Sequence, residues 1–474
     1  MENPVSSSRA RYCFVLFLLF LISQRSPLAG DWSVVPSVYV AGSYYDNIFL
    51  SSPGSELSDS VLQVNPSITV DGKGRRGDVS LNYVMQNVYY DENVEFNDTY
   101  HILNARGNAE LFPELFFIDA TLGRTQQTIS RDAGIPLDNI TISTNRTNVD
   151  VVSVSPFLRT NVGDKLTTEV RYTGAWTRYD RDVSANFRNE AVYADLRNDL
   201  TSSRAQWGIV YRNRKFDYDI RGNYTYERAY VDVDYSATGQ LGLLASGGYE
   251  NNGYNRQGLI TRAEKGETWD IGLRWNPVRQ NTISIRLGER VFGKTKSLRF
   301  RYFTRRWTWT AAYDEEFENN LGILVRNQQN NATGGEMILP GDPTPTTEAY
   351  LSRDFNFRAR RRYGKTDIDF SVYDRKREFQ LTYEEEQLSG TDVNFEWRFQ
   401  RRTSFLLGMQ AENQNLRNDA NNNYLVIATI GLNRAIFRGA NLQFNFRHYR
   451  RDMNNPALNS YRQNQVKLDL NVVF

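Results

Sequence analysis

The sequence predicts an all-β protein, a transmembrane antiparallel up-and-down β-barrel of about 22 strands, within bounds of 18 and about 24, without a plug domain. Three observations carry that expectation. First, the chain ends on a strand whose Val466, Leu468, Leu470, Val472 and Phe474 share one face. Lys467, Asp469 and Asn471 share the other, because successive strand side chains point to opposite sides. Second, alternating segments of this kind recur about every 20 residues, the spacing of a barrel with short connections. Third, the polar faces carry Asp, Glu and Arg at position after position. A dry sandwich core would not tolerate those charges, whereas a wet lumen does.

The N-terminus comes first in order. Arg9 and Arg11 precede an apolar run, Tyr12 to Ile22, too short to cross a bilayer as a helix. Ser26, Pro27, Leu28, Ala29 and Gly30 then supply a small-residue cleavage region. Residues 1–30 thus read as a signal peptide and 31–474 as the barrel. The only cysteine, Cys13, lies in the signal and lacks a lipoprotein box. The cleaved chain therefore has no disulfide, thiolate metal site or cysteine nucleophile. The first strand is expected near Ser33, which leaves no room for an N-terminal plug.

Composition excludes other classes. Removing Arg9, Arg11, Arg25 and Glu2 from the 57 basic and 55 acidic residues leaves equal numbers, which argues against a nucleic-acid partner. The mean hydropathy of −0.58 is that of a water-soluble chain. A barrel escapes that inference, since only alternate strand residues meet lipid. The 28 Tyr, 26 Phe and 8 Trp suit aromatic belts at two lipid interfaces. Only 13 Pro and no charge block or low-complexity tract are present, so no linker or second domain is expected.

The strands follow. Leu62, Val64, Pro66, Ile68 and Val70 alternate with Gln63, Asn65, Ser67 and Thr69. Trp269, Ile271, Leu273 and Trp275 do the same, as do Ile283, Ile285 and Leu287. Further on come Val393, Phe395, Trp397 and Phe399, then Leu442, Phe444 and Phe446. Tight turns are expected at 72–77, 112–114, 163–165, 201–204, 238–240, 277–281, 305–306, 362–365, 401–403 and 437–440. Longer polar connections alternate with them, among them 47–60, 128–147, 254–266 and 319–347. Turns are expected on the periplasmic side and loops outside. In lipid an open sheet edge costs several kcal/mol per unpaired group, so the first strand should pair with the last. A barrel this wide is not filled by its own wall side chains. The 319–347 loop, with Gly334, Gly335 and Pro340 to Pro345, is the expected inward constriction, and a surface loop is its alternative.

Arginine supplies 48 of the 57 basic residues. Its planar fork holds carboxylate or phosphate in two bonds and stacks on rings. Candidate lumen-lining residues are Arg286, Arg299, Arg301, Arg358, Arg360 and Arg398, tempered by Asp270, Asp367 and Glu396. With Tyr193, Tyr373 and Tyr449 they form a path for an anionic or hydroxyl-rich polymer. For any single arginine, a cross-strand ion pair that merely holds the wall is the stronger expectation. The two histidines, His101 and His448, have no Ser or Asp at a catalytic spacing. No catalytic residue, cofactor or metal is expected, and the protein is not expected to be an enzyme. Asn97, Asn139, Asn145, Asn223 and Asn331 stand in Asn-x-Thr triplets that a bacterial barrel would use only as polar loop residues.

The aromatic C-terminus resembles the ending of bacterial outer-membrane barrels. Tyr44-Tyr45-Asp46-Asn47-Ile48-Phe49-Leu50 resembles the Tyr-x-Asp-Asn-Ile motif of the outer-membrane β-barrel porins encoded with exopolysaccharide gene clusters. The version tied to PEP-CTERM/exosortase sorting is the one it resembles. Arg402-Thr403-Ser404-Phe405-Leu406-Leu407-Gly408 and the closing Tyr461 to Phe474 strand are similar to that group too. The resemblance covers essentially the whole mature chain. It implies an outer-membrane pore of a Gram-negative bacterium that serves exopolysaccharide export or surface-polymer assembly. The partners it implies are outer-membrane lipid, the barrel assembly machinery, periplasmic polysaccharide-export proteins and an exopolysaccharide. A general or selective diffusion porin for small solutes is the alternative, and no nucleic acid is expected as a partner.

Overall fold

A computed structural model describes residues 30–129, 135–136, 138–163, 165–180, 186–198, 203–219, 222–255, 262–318, 350–380, 382–416, 422–454 and 460–474. Residues 1–29 of the expected 1–30 signal peptide, and the expected 319–347 constriction, lie outside the described residues. Among the described residues the chain forms 22 strands and one short 3-10 turn, Val94–Phe96. The first eight strands are β1 (Gly30–Tyr45), β2 (Asp59–Gly74), β3 (Gly77–Tyr90), β4 (Asp98–Phe112), β5 (Phe116–Thr128), β6 (Arg146–Val162), β7 (Leu166–Tyr179) and β8 (Phe187–Asn198). The next are β9 (Ala205–Tyr218), β10 (Gly222–Ser236), β11 (Leu241–Asn255), β12 (Arg262–Trp275), β13 (Thr282–Arg290), β14 (Gly293–Phe303) and β15 (Trp307–Glu318). The last are β16 (Tyr350–Tyr363), β17 (Thr366–Phe379), β18 (Glu385–Gln400), β19 (Thr403–Asn415), β20 (Asn422–Phe437), β21 (Ala440–Met453) and β22 (Tyr461–Val473).

Each strand pairs antiparallel with the next, and β1 pairs with β22 from Ser37↔Val473 to Tyr45↔Gln465. The sheet is thereby closed and no edge strand remains. The expected tight turns all join an even strand to the following odd one and so lie at one end, with the 163–165 and 201–204 turns partly outside the described residues. The geometry demands glycine at one of them. Gly439 has a φ of 86°, and a Cβ there would stand 2.6 Å from the Val473 carbonyl oxygen.

The outward face is apolar. Ile271, Leu273, Leu287, Leu407, Leu432 and Leu468 are all exposed there. A soluble protein would bury such residues, whereas lipid accepts them. Trp32, Trp275, Tyr363 and Trp397 are exposed toward the tight-turn end, and Tyr44, Tyr89, Trp176 and Tyr424 toward the loop end. Two such aromatic girdles mark the two interfaces. At the tight-turn end Arg306 lies 4.0 Å from the Tyr363 ring centroid, and Arg361 lies 5.6 Å from that of Trp307. Both guanidinium groups thus lie over interfacial rings, in cation–π contact.

Phe474 completes the seam. Its backbone N–H donates to the Pro36 carbonyl at 3.0 Å, and the residue is 74% exposed. Deleting Phe474 is expected to reduce insertion of folded barrel into the outer membrane, read as the heat-modifiable band on unboiled gels. A normal yield of folded protein would contradict this assignment.

Candidate functional site

The inward face is where the charges go. In the β16–β18 wall, Asp369 accepts from Arg358 Nε at 2.7 Å and lies 2.8 Å from Arg360 Nη2. Asp367 lies 2.8 Å from Arg398 Nη2 and 3.7 Å from Arg362 Nε, and Glu396 is its direct cross-strand neighbour. Arg358, Arg360 and Arg398 are each about half exposed, so such pairs contribute only about 0–1 kcal/mol each. They hold orientation more than they hold the fold.

A second patch sits on β10–β15. Arg286 Nη1 lies 2.6 Å from Asp270, Arg274 pairs with Asp234, and Arg299 approaches Asp314 at 3.8 Å. Asp270, Arg286 and Arg299 line one recess of about 510 Å³. Arg301 joins the two patches, since it is level with Thr310 of β15, which is level with Arg358 of β16. The nine candidate residues therefore fall in two neighbouring patches of one wall, not at a single point. Above them, Arg290 donates to both oxygens of Glu250, at 2.9 and 2.8 Å, and to Tyr226 Oη at 3.2 Å. It reaches across β12, where Gly266 presents no side chain.

Sequence reasoning missed an inward loop. The β5–β6 connection, read as a polar stretch, carries Ile135, Ile140 and Ile142, all buried. Tyr45 Oη donates to Asp138 at 2.8 Å, Gln86 Nε2 to Asn139 at 2.9 Å, and Tyr90 Oη to the Ile140 carbonyl at 2.5 Å. Tyr449 Oη donates to the Ile135 carbonyl, and the Ile135 N–H donates to Tyr461 Oη, both at 3.0 Å. Residues 135 and 138–142 of this connection thus lodge inside the barrel against β1–β3, β21 and β22. The β1–β2 connection meets it there, with Ile142 N–H donating to the Ile48 carbonyl at 2.9 Å. Four isoleucines, Ile129, Ile135, Ile140 and Ile142, together with Leu137, were the available signal. Asn139, expected as a polar loop residue, is instead buried against Gln86.

The 44–50 motif acquires a physical role. Asn47 is fully buried, and its amide donates to the Ser51 and Arg462 carbonyls at 2.8 and 3.0 Å. The Asp46 carboxylate accepts from the backbone and the side chain of Asn464, at 2.7 and 2.6 Å. The motif therefore clamps the first loop to the β1–β22 seam and turns Ile48 and Leu50 inward. Tyr193, Tyr373 and Tyr449 all sit on the inward face, where Tyr373 donates to Glu412 at 2.5 Å. The histidines are not brought together. His101 bonds Tyr83 Oη and His448 bonds Asn464, each at 2.7 Å and on outward faces of distant strands.

No protein-family model and no curated protein matches the chain. Among solved structures it is similar to the FrpB iron transporter from Neisseria meningitidis, F3-3 variant, with a TM-score of 0.54 and 12% identity over 93% of this chain and 81% of that one. It is similar also to the ferric-catecholate import receptor Fiu from E. coli K12 in its open form. That match has a TM-score of 0.54 and 8% identity, and covers 93% of this chain and 82% of that one. At such identities the likeness is one of fold. The chain has the fold of a Gram-negative outer-membrane β-barrel.

Proposed function

We propose that this barrel is an outer-membrane pore for hydrophilic molecules, selective for anionic and hydroxyl-rich solutes. The observation that carries the proposal is the charged wall from β10 to β18, in which Arg301 links two arginine patches on the inward face. Water shares the load with the ion pairs there, so the guanidinium groups can exchange a neighbouring carboxylate for a passing anion. The loop lodged beside the seam narrows the lumen, which favours small solutes over an unimpeded channel. Export of an acidic or hydroxylated surface polymer is the second reading. It is favoured by the spread of arginines into rows rather than one site, and it would bring in periplasmic export proteins and an exopolysaccharide as partners.

Replacing Arg358, Arg360 and Arg398 together by Gln tests both. The expected result is a reversal potential shifted away from anions in a salt gradient, with folding nearly intact. A simultaneous fall in secreted exopolysaccharide would favour the polymer reading. Unchanged selectivity and unchanged secretion would make the arginine rows structural only.

A further inference from the structure

Resting on the pore reading, we infer that Arg212 and Arg228 form a binding subsite for the carboxylate of an acidic sugar. The register places these two arginines directly opposite each other on β9 and β10, both on the inward face. Like charges facing across a strand pair are destabilising. Four other guanidinium groups of this wall have carboxylates: Arg197 has Asp195, Arg274 has Asp234, Arg286 has Asp270 and Arg290 has Glu250. Glu250 is the other cross-strand neighbour of Arg228, but both of its oxygens are held by Arg290. Among the described residues no carboxylate lies within 4.0 Å of Arg212 or Arg228, and the buried Nε of Arg228 has no hydrogen-bond partner.

The two guanidinium groups are held by rings instead. Arg228 lies 4.5 Å from the Tyr230 centroid, and Arg212 lies 6.0 Å from it and 5.7 Å from that of Tyr193. A guanidinium that lies over a ring can still take a carboxylate in two bonds through an N–H edge. Both arginines line the 510 Å³ recess together with Ser246, Asp232 and Asp234. A volume of that order accepts a small organic ligand. The hydroxyl and carboxylate groups below the arginines are acceptors for sugar hydroxyls. An anion with hydroxyls, rather than a bare inorganic ion, uses both halves of the recess.

The test uses the purified folded barrel, glucuronate as the probe and glucose as its neutral counterpart. Glucuronate is expected to interrupt single-channel current and to raise the unfolding temperature at low salt, and glucose to do neither. In the Arg212→Gln/Arg228→Gln variant the open conductance should persist, while the glucuronate concentration needed for either response rises at least about tenfold, since each lost charge-assisted hydrogen bond is worth about that factor. Without ligand the variant should be as stable as the parent or more so, because the opposed charges are gone. Should the double variant not fold, Arg228→Lys keeps the charge without the fork and should still weaken the response. A parent barrel that ignores glucuronate, or answers glucose equally, overturns the subsite, as does a variant that keeps the full response. A barrel that conducts nothing yet is stabilised by glucuronate would retain the subsite and refute the pore.

Discussion

Replacing Glu250 by Ala is expected to lower the stability of the folded barrel by about 3–5 kcal/mol, the usual cost of stranding one member of a buried ion pair. Glu250 is fully buried and Arg290 is only 9% exposed, so little water reaches the pair. Asn252 also donates to Glu250 at 2.9 Å, and Arg290 donates to the Glu315 carbonyl at 3.2 Å. Removing the carboxylate leaves the guanidinium anchored and uncompensated. Removing both charges should be milder, because an apolar pair of similar volume often replaces a buried ion pair without loss. The expected order of unfolding temperature on heat-modifiability gels is parent, then Glu250→Ala/Arg290→Met, then Glu250→Ala. Arg358→Gln in the wet part of the lumen serves as a control within about 1 kcal/mol of the parent. A Glu250→Ala barrel that melts with the parent would mean that this corner of the lumen is hydrated.

Replacing residues 138–142 by a Gly/Ser linker of equal length is expected to raise single-channel conductance severalfold. That segment holds the lodged loop in place through Asp138, Asn139, Ile140 and Ile142. Its loss removes about 1.5–3 kcal/mol of burial for each isoleucine. Tyr45, Gln86 and Gln465, which face the lumen, can rehydrate when the loop leaves, so the barrel itself should stay folded. Bilayer recordings of parent and variant decide it. Equal conductance would place the narrowest point of the path elsewhere.

The wall of this protein was legible in the sequence and its interior fittings were not. The period-2 alternation of segments such as Trp269 to Trp275 reports which face meets lipid, because lipid imposes the same demand on every strand. Gly439 marks a turn because its backbone conformation and the nearby Val473 carbonyl exclude a side chain. The loop 135–142 obeys no such local rule. Its inward course depends on Tyr45, Gln86, Tyr449 and Tyr461, which are distant in sequence and meet only once the barrel closes. The charged face was visible residue by residue, but its pairing was not. That Arg290 takes Glu250 and leaves Arg228 opposite Arg212 follows from strand register, on which alternation carries no information.

In the proposed function the closed barrel conducts, through a lumen whose arginines favour anions. Single-channel recording of the purified, folded parent protein in a salt gradient decides this. Discrete current steps with a reversal potential displaced toward that of the anion are the predicted result. A folded, membrane-inserted barrel that passes no current, even with residues 138–142 replaced, would contradict it.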